Sequence, residues 1–294
     1  MVFESLTTPM AAEMRPWQMI LLGILYSSLG VMLGLWVFRD YASLIMVFIT
    51  VMGCMPIMYN TIKYEEEKDE EDFPETTLLK EHWKALEVFM FLFIGVTLSL
   101  SLWYAFLPQD LLSNLFSAQA ATIQQINPVT GRFTGPFNLF TLIFFNNFKV
   151  MLFCLLFSFL YGFGAIFILV WNASVIATAI GIFLRSNIAS AAMHAGLDKA
   201  ACYFQAFPIG LSRYIIHGIP EILAYFIAGL AGGIISVAVI KHTFGTRKFE
   251  KVVIDAADLI MIALFVLIVA AFLEVYVTPG VFGSVTPVLS ACQA

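Results

Sequence analysis

Apolar residues in this chain run in long, nearly unbroken stretches separated by short polar ones, a spacing that belongs to helices crossing a bilayer. A spanning helix needs about 20 predominantly apolar residues, because each adds about 1.5 Å across a hydrocarbon core about 30 Å thick. Seven stretches meet that requirement: Trp17 to Phe38, Tyr41 to Tyr59, Leu86 to Leu107, Leu139 to Tyr161, Phe163 to Leu184, Ile215 to Ile240 with an interfacial lead-in from Phe207, and Ala257 to Val277. Trp17, Trp36, Tyr41, Tyr59, Trp83, Trp103, Tyr104 and Tyr276 fall near span ends, where amphipathic rings settle at headgroup level. Backbone polar groups in lipid must be satisfied within the chain, so the pattern predicts an all-α, polytopic transmembrane helical bundle of about seven spans.

Composition agrees, with 61% hydrophobic and 12% charged residues and a mean hydropathy of +0.90. Soluble domains carry about 25% charged residues. The net charge of −5 is local in origin, because Glu65, Glu66, Glu67, Asp69, Glu70, Glu71, Asp72, Glu75 and Glu81 all fall in one polar segment. The rest of the chain is mildly basic, and nothing in it suggests nucleic-acid binding. The acidic segment reads as a solvated spacer that continues the second helix until Pro74, with Thr76 and Thr77 capping the next.

Orientation follows from Lys and Arg. An inside N-terminus gathers Arg15, Lys63, Lys68, Lys80, Lys84, Lys241, Arg247, Lys248 and Lys251 on the cytoplasmic side and leaves Arg39, Arg132, Arg185, Lys199 and Arg213 opposite. The expected topology is therefore N-in and C-out in a cell membrane, with lipids as the surroundings. Between the third and fourth spans, Leu111, Leu112, Leu115 and Phe116 suggest a short interfacial helix, followed by turns at Asn127-Pro128 and Thr134-Gly135-Pro136. The Gly162-Phe163-Gly164 connection is very tight for two full spans. Cys54 and Cys154 lie in apolar runs and read as small hydrophobes, whereas Cys202 and Cys292 fall on the outer side and form a candidate disulfide pair. The first apolar run has the length of a span and lacks a small-residue cleavage site, so it is expected to remain as a span.

Polar residues inside spans are costly and mark candidate function. They are Asn146, Asn147 and Lys149 on the fourth span, Asn172 on the fifth, His217 and Glu221 on the sixth, and Glu274 on the seventh. His217 and Glu221 stand four apart, on one helix face. In the expected topology all of these groups lie toward the outer side. One reading is structural, with Lys149 neutralising Glu221 or Glu274 and the amides bridging helices. A second is a solvated cavity for an ion, lipid headgroup or peptide. A third is a metal site of His217, Glu221 and Glu274, although the second His of a zinc-protease helix motif is missing, as is a Gly-x-Ser-x-Gly elbow. No motif calls for a cofactor. The seventh span has no Lys for a retinal Schiff base, which excludes a rhodopsin. Gly218 and Pro220 predict a break in the sixth helix.

Small residues recur every four positions at Ala224, Ala228, Gly232 and Ser236, with Gly229 and Gly233 beside them, and likewise at Ala173, Ala177 and Gly181 and at Gly30 and Gly34. Such faces let helix backbones approach closely, either within the chain or across a homodimer seam.

Several motifs together resemble those of one family. They are Phe145-Asn146-Asn147-Phe148 opening the fourth span, Gly162-Phe163-Gly164, Trp171-Asn172, His217-Gly218-Ile219-Pro220-Glu221 with Ala228-Gly229-Leu230-Ala231-Gly232, and Ala271 to Pro279. In order and spacing, over roughly residues 80 to 280, they look like the stage II sporulation protein M family of integral membrane proteins. Ala173 stands where that family commonly has Gly. The resemblance implies a membrane domain over 76–294, with 1–75 as a two-span extension carrying the acidic loop. It also implies a non-enzymatic scaffold or anchor that recruits a protein partner complex for envelope or membrane remodelling, as when a cell-wall hydrolase is held at the membrane during engulfment. A permease-like subunit or small channel is the alternative.

Overall fold

The computed structural model describes residues 7–69, 75–130, 135–161, 164–193, 197–241 and 245–283, and among these there is no strand. The helices are α1 (Pro9–Met14), α2 (Gln18–Val37), α3 (Ala42–Asp69), α4 (Glu75–Phe106), α5 (Gln109–Leu115), α6 (Ser117–Thr130), α7 (Pro136–Tyr161), α8 (Ala165–Met193), α9 (Leu197–Ile240), α10 (Arg247–Phe272) and α11 (Thr278–Gly283). Seven of them, α2, α3, α4, α7, α8, α9 and α10 with its continuation, are long and apolar enough to cross a membrane. An odd number of crossings puts α1 and α6 at opposite ends of the bundle, and these are called the α1 end and the α6 end below.

Helix α9 is the axis. Of its spanning window 83% is buried, against 22% for α7, and it touches α3, α4, α7, α8 and α10. Its small residues make this position accessible. A Cβ at Gly232 would lie 2.4 Å from the Leu155 carbonyl of α7, so any larger residue drives the two helices apart. Ser158 of α7 donates to the Gly229 carbonyl at 2.6 Å across the same seam. Gly95 of α4 plays the same part against α2, with 2.3 Å between its ideal Cβ and the Ile20 carbonyl. Ala224, Ala228, Ala173 and Ala177 are all buried, so these small-residue faces serve packing inside the chain. Large apolar side chains such as Trp36, Phe106 and Phe137 point outward, as lipid contact requires.

Three local expectations change. The break at Gly218 and Pro220 is absent, and α9 continues through both as part of a 44-residue helix. Pro220 removes one bond, to the Ile216 carbonyl, and the packing of the following turns on α7, α8 and α10 outweighs that loss. At about 1.5 Å per residue α9 is about 66 Å long, twice a hydrocarbon core. The interfacial helix exists as α5, but Leu112, Leu115 and Phe116 are buried against the core, and α6 then runs through Asn127 and Pro128 without a turn. Gln119 of α6 is fully buried, accepting from Ser43 at 2.7 Å and donating to Ser174 at 3.2 Å, so this connection is stitched between α3 and α8. Arg185 Nη1 donates to the Leu107 carbonyl at 2.6 Å nearby.

The largest change concerns the acidic segment. Helix α3 carries on to Asp69, and Glu65 and Glu66 are 0% exposed, Lys68 8% and His82 2%. Lys68 Nζ reaches Glu65 at 2.6 Å, Glu13 of α1 at 2.9 Å and Glu81 of α4 at 3.3 Å. His82 Nδ1 lies 2.8 Å from the other oxygen of Glu65, and Lys241 at the end of α9 pairs with Glu66. What reads as a solvated spacer is, in this part, packed into the α1 end of the bundle. Its charges are tolerated in the interior because each has a partner. The turn residues Gly162 and Phe163, and the pairing of Cys202 with Cys292, lie outside the described residues; Cys54 and Cys154 are buried free thiols.

Candidate ligand cavity

At the α6 end, four spans turn their polar residues toward one space. On α7, Ile143, Asn146, Asn147 and Val150 share a face by the three- and four-residue spacing of a helix; on α8 the same holds for Asn172, Val175, Ile176 and Ala179. Helix α9 supplies His217, Gly218, Glu221, Ile222 and Tyr225, and Thr122 comes from α6. Glu274 completes the wall. Together these residues line a cavity of about 420 Å³.

Glu274 reaches the cavity through a distortion. Leu273–Val277 wind as a π-helical turn, with the Thr278 N–H and, at 2.9 Å, its hydroxyl both donating to the Leu273 carbonyl. Pro279 has no N–H for the Val275 carbonyl, which removes the bond an α-helix would use there. Single π-turns of this kind are frequent at functional sites. Val275 and Ala271 pack on Ile143 and hold the turn against α7.

Within the cavity the Tyr225 hydroxyl donates to Glu221 Oε1 at 2.7 Å, and Asn147 lines the same wall. Asn146 Nδ2 donates to Asn147 Oδ1 at 3.4 Å, and Asn172 Nδ2 donates to the Ile168 carbonyl of its own helix at 2.8 Å. A Cβ at Gly218 would meet nothing within 4 Å, so this glycine leaves free volume.

Six of the seven polar residues singled out in the spans thus meet here: Asn146, Asn147, Asn172, His217, Glu221 and Glu274. Lys149 does not. It lies two residues beyond Asn147, about 200° around α7 at about 100° per residue, and lines an adjoining exposed groove with Phe137, Asn138, Thr141 and Phe145 that shares Leu142 and Asn146 with the cavity. Among the described residues it forms no ion pair with Glu221 or Glu274. Tyr225 and Thr122 belong to the site although sequence reading passed over them. Tyr225 was signalled by its place four residues after Glu221, whereas Thr122 depends on the return of α6 into the bundle. Among the described residues no three His, Cys, Asp or Glu side chains gather as a metal-binding group, so His217, Glu221 and Glu274 do not form a ready metal site.

The cavity does not continue to the α1 end. Below Tyr225, α9 presents Phe226, Ala228, Leu230, Ala231 and Ile234, all at or below 2% exposure, against Cys54, Met58 and Phe89. Phe226 meets Phe89 and Phe93 with ring centroids 5.9 and 5.8 Å apart. At the α1 end itself, burial pushes the Glu13 carboxyl up to about 7, with Lys68 pulling the other way.

A helical bundle of seven spanning segments, with a polar cavity at one end and buried ion pairs at the other, defines a multi-pass membrane protein. The chain belongs to the stage II sporulation protein M family, whose model matches residues 29–279. The match begins inside α2 and so takes in α3 and the acidic segment as well as the later motifs. No curated protein and no solved structure matches the chain.

Proposed function

We propose that this chain is a non-enzymatic membrane protein that holds a small ligand in the cavity between α7, α8 and α9, in the manner of a transport-associated or ligand-sensing subunit. The observation that carries the reading is the cavity itself. Glu221 and Glu274 border about 420 Å³ of open space with no lysine among the described residues of its wall, within the range of roughly 300–1,000 Å³ usual for small-molecule pockets. A scaffold with no other role predicts a dry, fully paired cluster, and the open space beside Glu221 and Glu274 counts against that. A continuous pore finds no support either, because Phe226 and its neighbours close the way below Tyr225. With the N-terminus inside, the cavity lies in the outer half of the membrane.

Cysteine accessibility tests both the cavity and the topology. Ile176→Cys, in a background lacking the native cysteines, is expected to react with a membrane-impermeant thiol reagent added to intact cells from outside. Phe226→Cys is expected to stay unreactive. An Ile176→Cys variant that is folded but reacts from neither side would sink the cavity reading, and reaction only in inverted vesicles would reverse the topology.

A further inference from the structure

We infer that the ligand of this cavity is a protonated organic amine with an apolar body, an inference that rests on the cavity reading above. Three features of the wall select it.

The first is charge. Glu221 and Glu274 border the space, and among the described lining residues there is no Lys or Arg. An anionic ligand would meet two acids, with His217 as the one basic side chain among those lining residues. Lys149 lines the adjoining groove and is not part of the cavity wall.

The second is the direction of unused hydrogen-bonding capacity. Asn172 gives one Nδ2 hydrogen to the Ile168 carbonyl at 2.8 Å, which leaves its side-chain oxygen and its second amide hydrogen with spare capacity. The Tyr225 hydrogen is already given to Glu221, so that hydroxyl has only lone pairs left to offer. Carboxylate oxygens also only accept when ionised. Two carboxylates, the Tyr225 oxygen and the Asn172 oxygen thus offer acceptors beside the amide groups of the wall, and a ligand that brings donors finds partners there. An ammonium brings three.

The third is the remainder of the wall. Leu142, Ile143, Val150, Val175, Ile176 and Ile222 are hydrocarbon. A hydrated inorganic cation would leave its water against them, and a bare one lacks the clustered ligands it needs. An alkyl or aryl body of a few carbons fills that side instead and takes apolar surface out of water. The same chemistry is presented by a free hydrophobic amine and by the primary-amine headgroup of a lipid.

The test uses the full chain in phosphatidylglycerol nanodiscs and radiolabelled n-hexylamine in a proximity binding assay. Saturable binding is expected. It should weaken at least tenfold in Glu221→Gln and in Glu274→Gln, which keep side-chain size, and should not be displaced by n-hexanol or hexanoate. Gly218→Leu, which adds bulk where nothing stands within 4 Å, is expected to abolish it without lowering the unfolding temperature. Displacement by phosphatidylethanolamine would assign the site to a lipid headgroup, and its failure to displace would assign it to a free amine. Equal competition by the alcohol or the carboxylate, or full affinity in both Gln variants, overturns the amine. If labelled hexylamine, hexanol and hexanoate all fail to bind, the cavity reading falls with it.

Discussion

Lys68→Met offers the sharpest test of the α1 end. The ammonium stands 2.6 Å from Glu65, 2.9 Å from Glu13 and 3.3 Å from Glu81, and Glu65 is 0% exposed. Methionine keeps the length of the side chain but leaves Glu65 Oε1 without its cation, while Oε2 remains on His82. Exposed ion pairs contribute about 0–1 kcal/mol. Removing one partner of a buried pair costs about 3–5 kcal/mol, because the other charge is stranded in the interior. With Glu65 fully buried, the second figure applies. Unfolding of the purified protein in mixed micelles, titrated with sodium dodecyl sulfate, reads that loss directly. Adding Glu65→Gln to Lys68→Met removes the stranded charge and is expected to recover about 1–3 kcal/mol, the coupling typical of contacting residues. A loss below about 1 kcal/mol in Lys68→Met, with no recovery in the double variant, would mean that the acidic segment is solvated after all.

Three further outcomes follow from the packing and the charges. Gly232→Val places a Cβ where the Leu155 carbonyl already stands 2.4 Å away, and is expected to cost about 1–3 kcal/mol or more through overpacking; a variant as stable as the parent would contradict the α7–α9 seam. Gln119→Leu leaves the buried Ser43 hydroxyl without its acceptor and removes a donor to Ser174, and is expected to cost about 1–3 kcal/mol, read in the same titration. The docking of α1 should depend on pH. The Glu13 carboxyl is raised from 4.5 to about 7 when α1 is docked, so the docked form holds its proton more tightly. Docking is strongest below pH 4.5 and weakens as pH rises through about 7. Hydrogen-exchange protection of the α1 amides, corrected for intrinsic rate, should fall between pH 5 and 8 in the parent and stay flat in Glu13→Gln.

Much of the fold was legible because a bilayer imposes a length on apolar runs, and the seven stretches read from hydropathy correspond to the seven spanning helices. The cavity was half legible. His217 and Glu221 announce a shared face by their spacing, and Asn147 and Asn172 are conspicuous in apolar surroundings. Pairing them with Lys149 failed because rotation about α7, which carries Lys149 away from Asn147, is invisible when residues are judged by depth alone. The burial of Glu65, Glu66 and Lys68 was hidden for a different reason. Their neutralising partners come from Glu13, His82 and Lys241, and Lys241 is 175 residues away from Glu66. A dense run of charge looks solvated until the fold delivers those partners.

The π-turn at Leu273–Val277 carries a consequence for how this protein can change. It stores one more residue than an α-helical turn holds, so the presence of Glu274 in the cavity depends on the count of residues before it as well as on its identity. Loss of a single codon at Leu273 would leave the side chains outside the turn as they are, yet swing the carboxylate by about 100° and draw it back by about 1.5 Å. The cavity would drop from two acids to one in a single step. A relative that lacks this one residue can thus be expected to hold a differently charged ligand in an otherwise unchanged bundle.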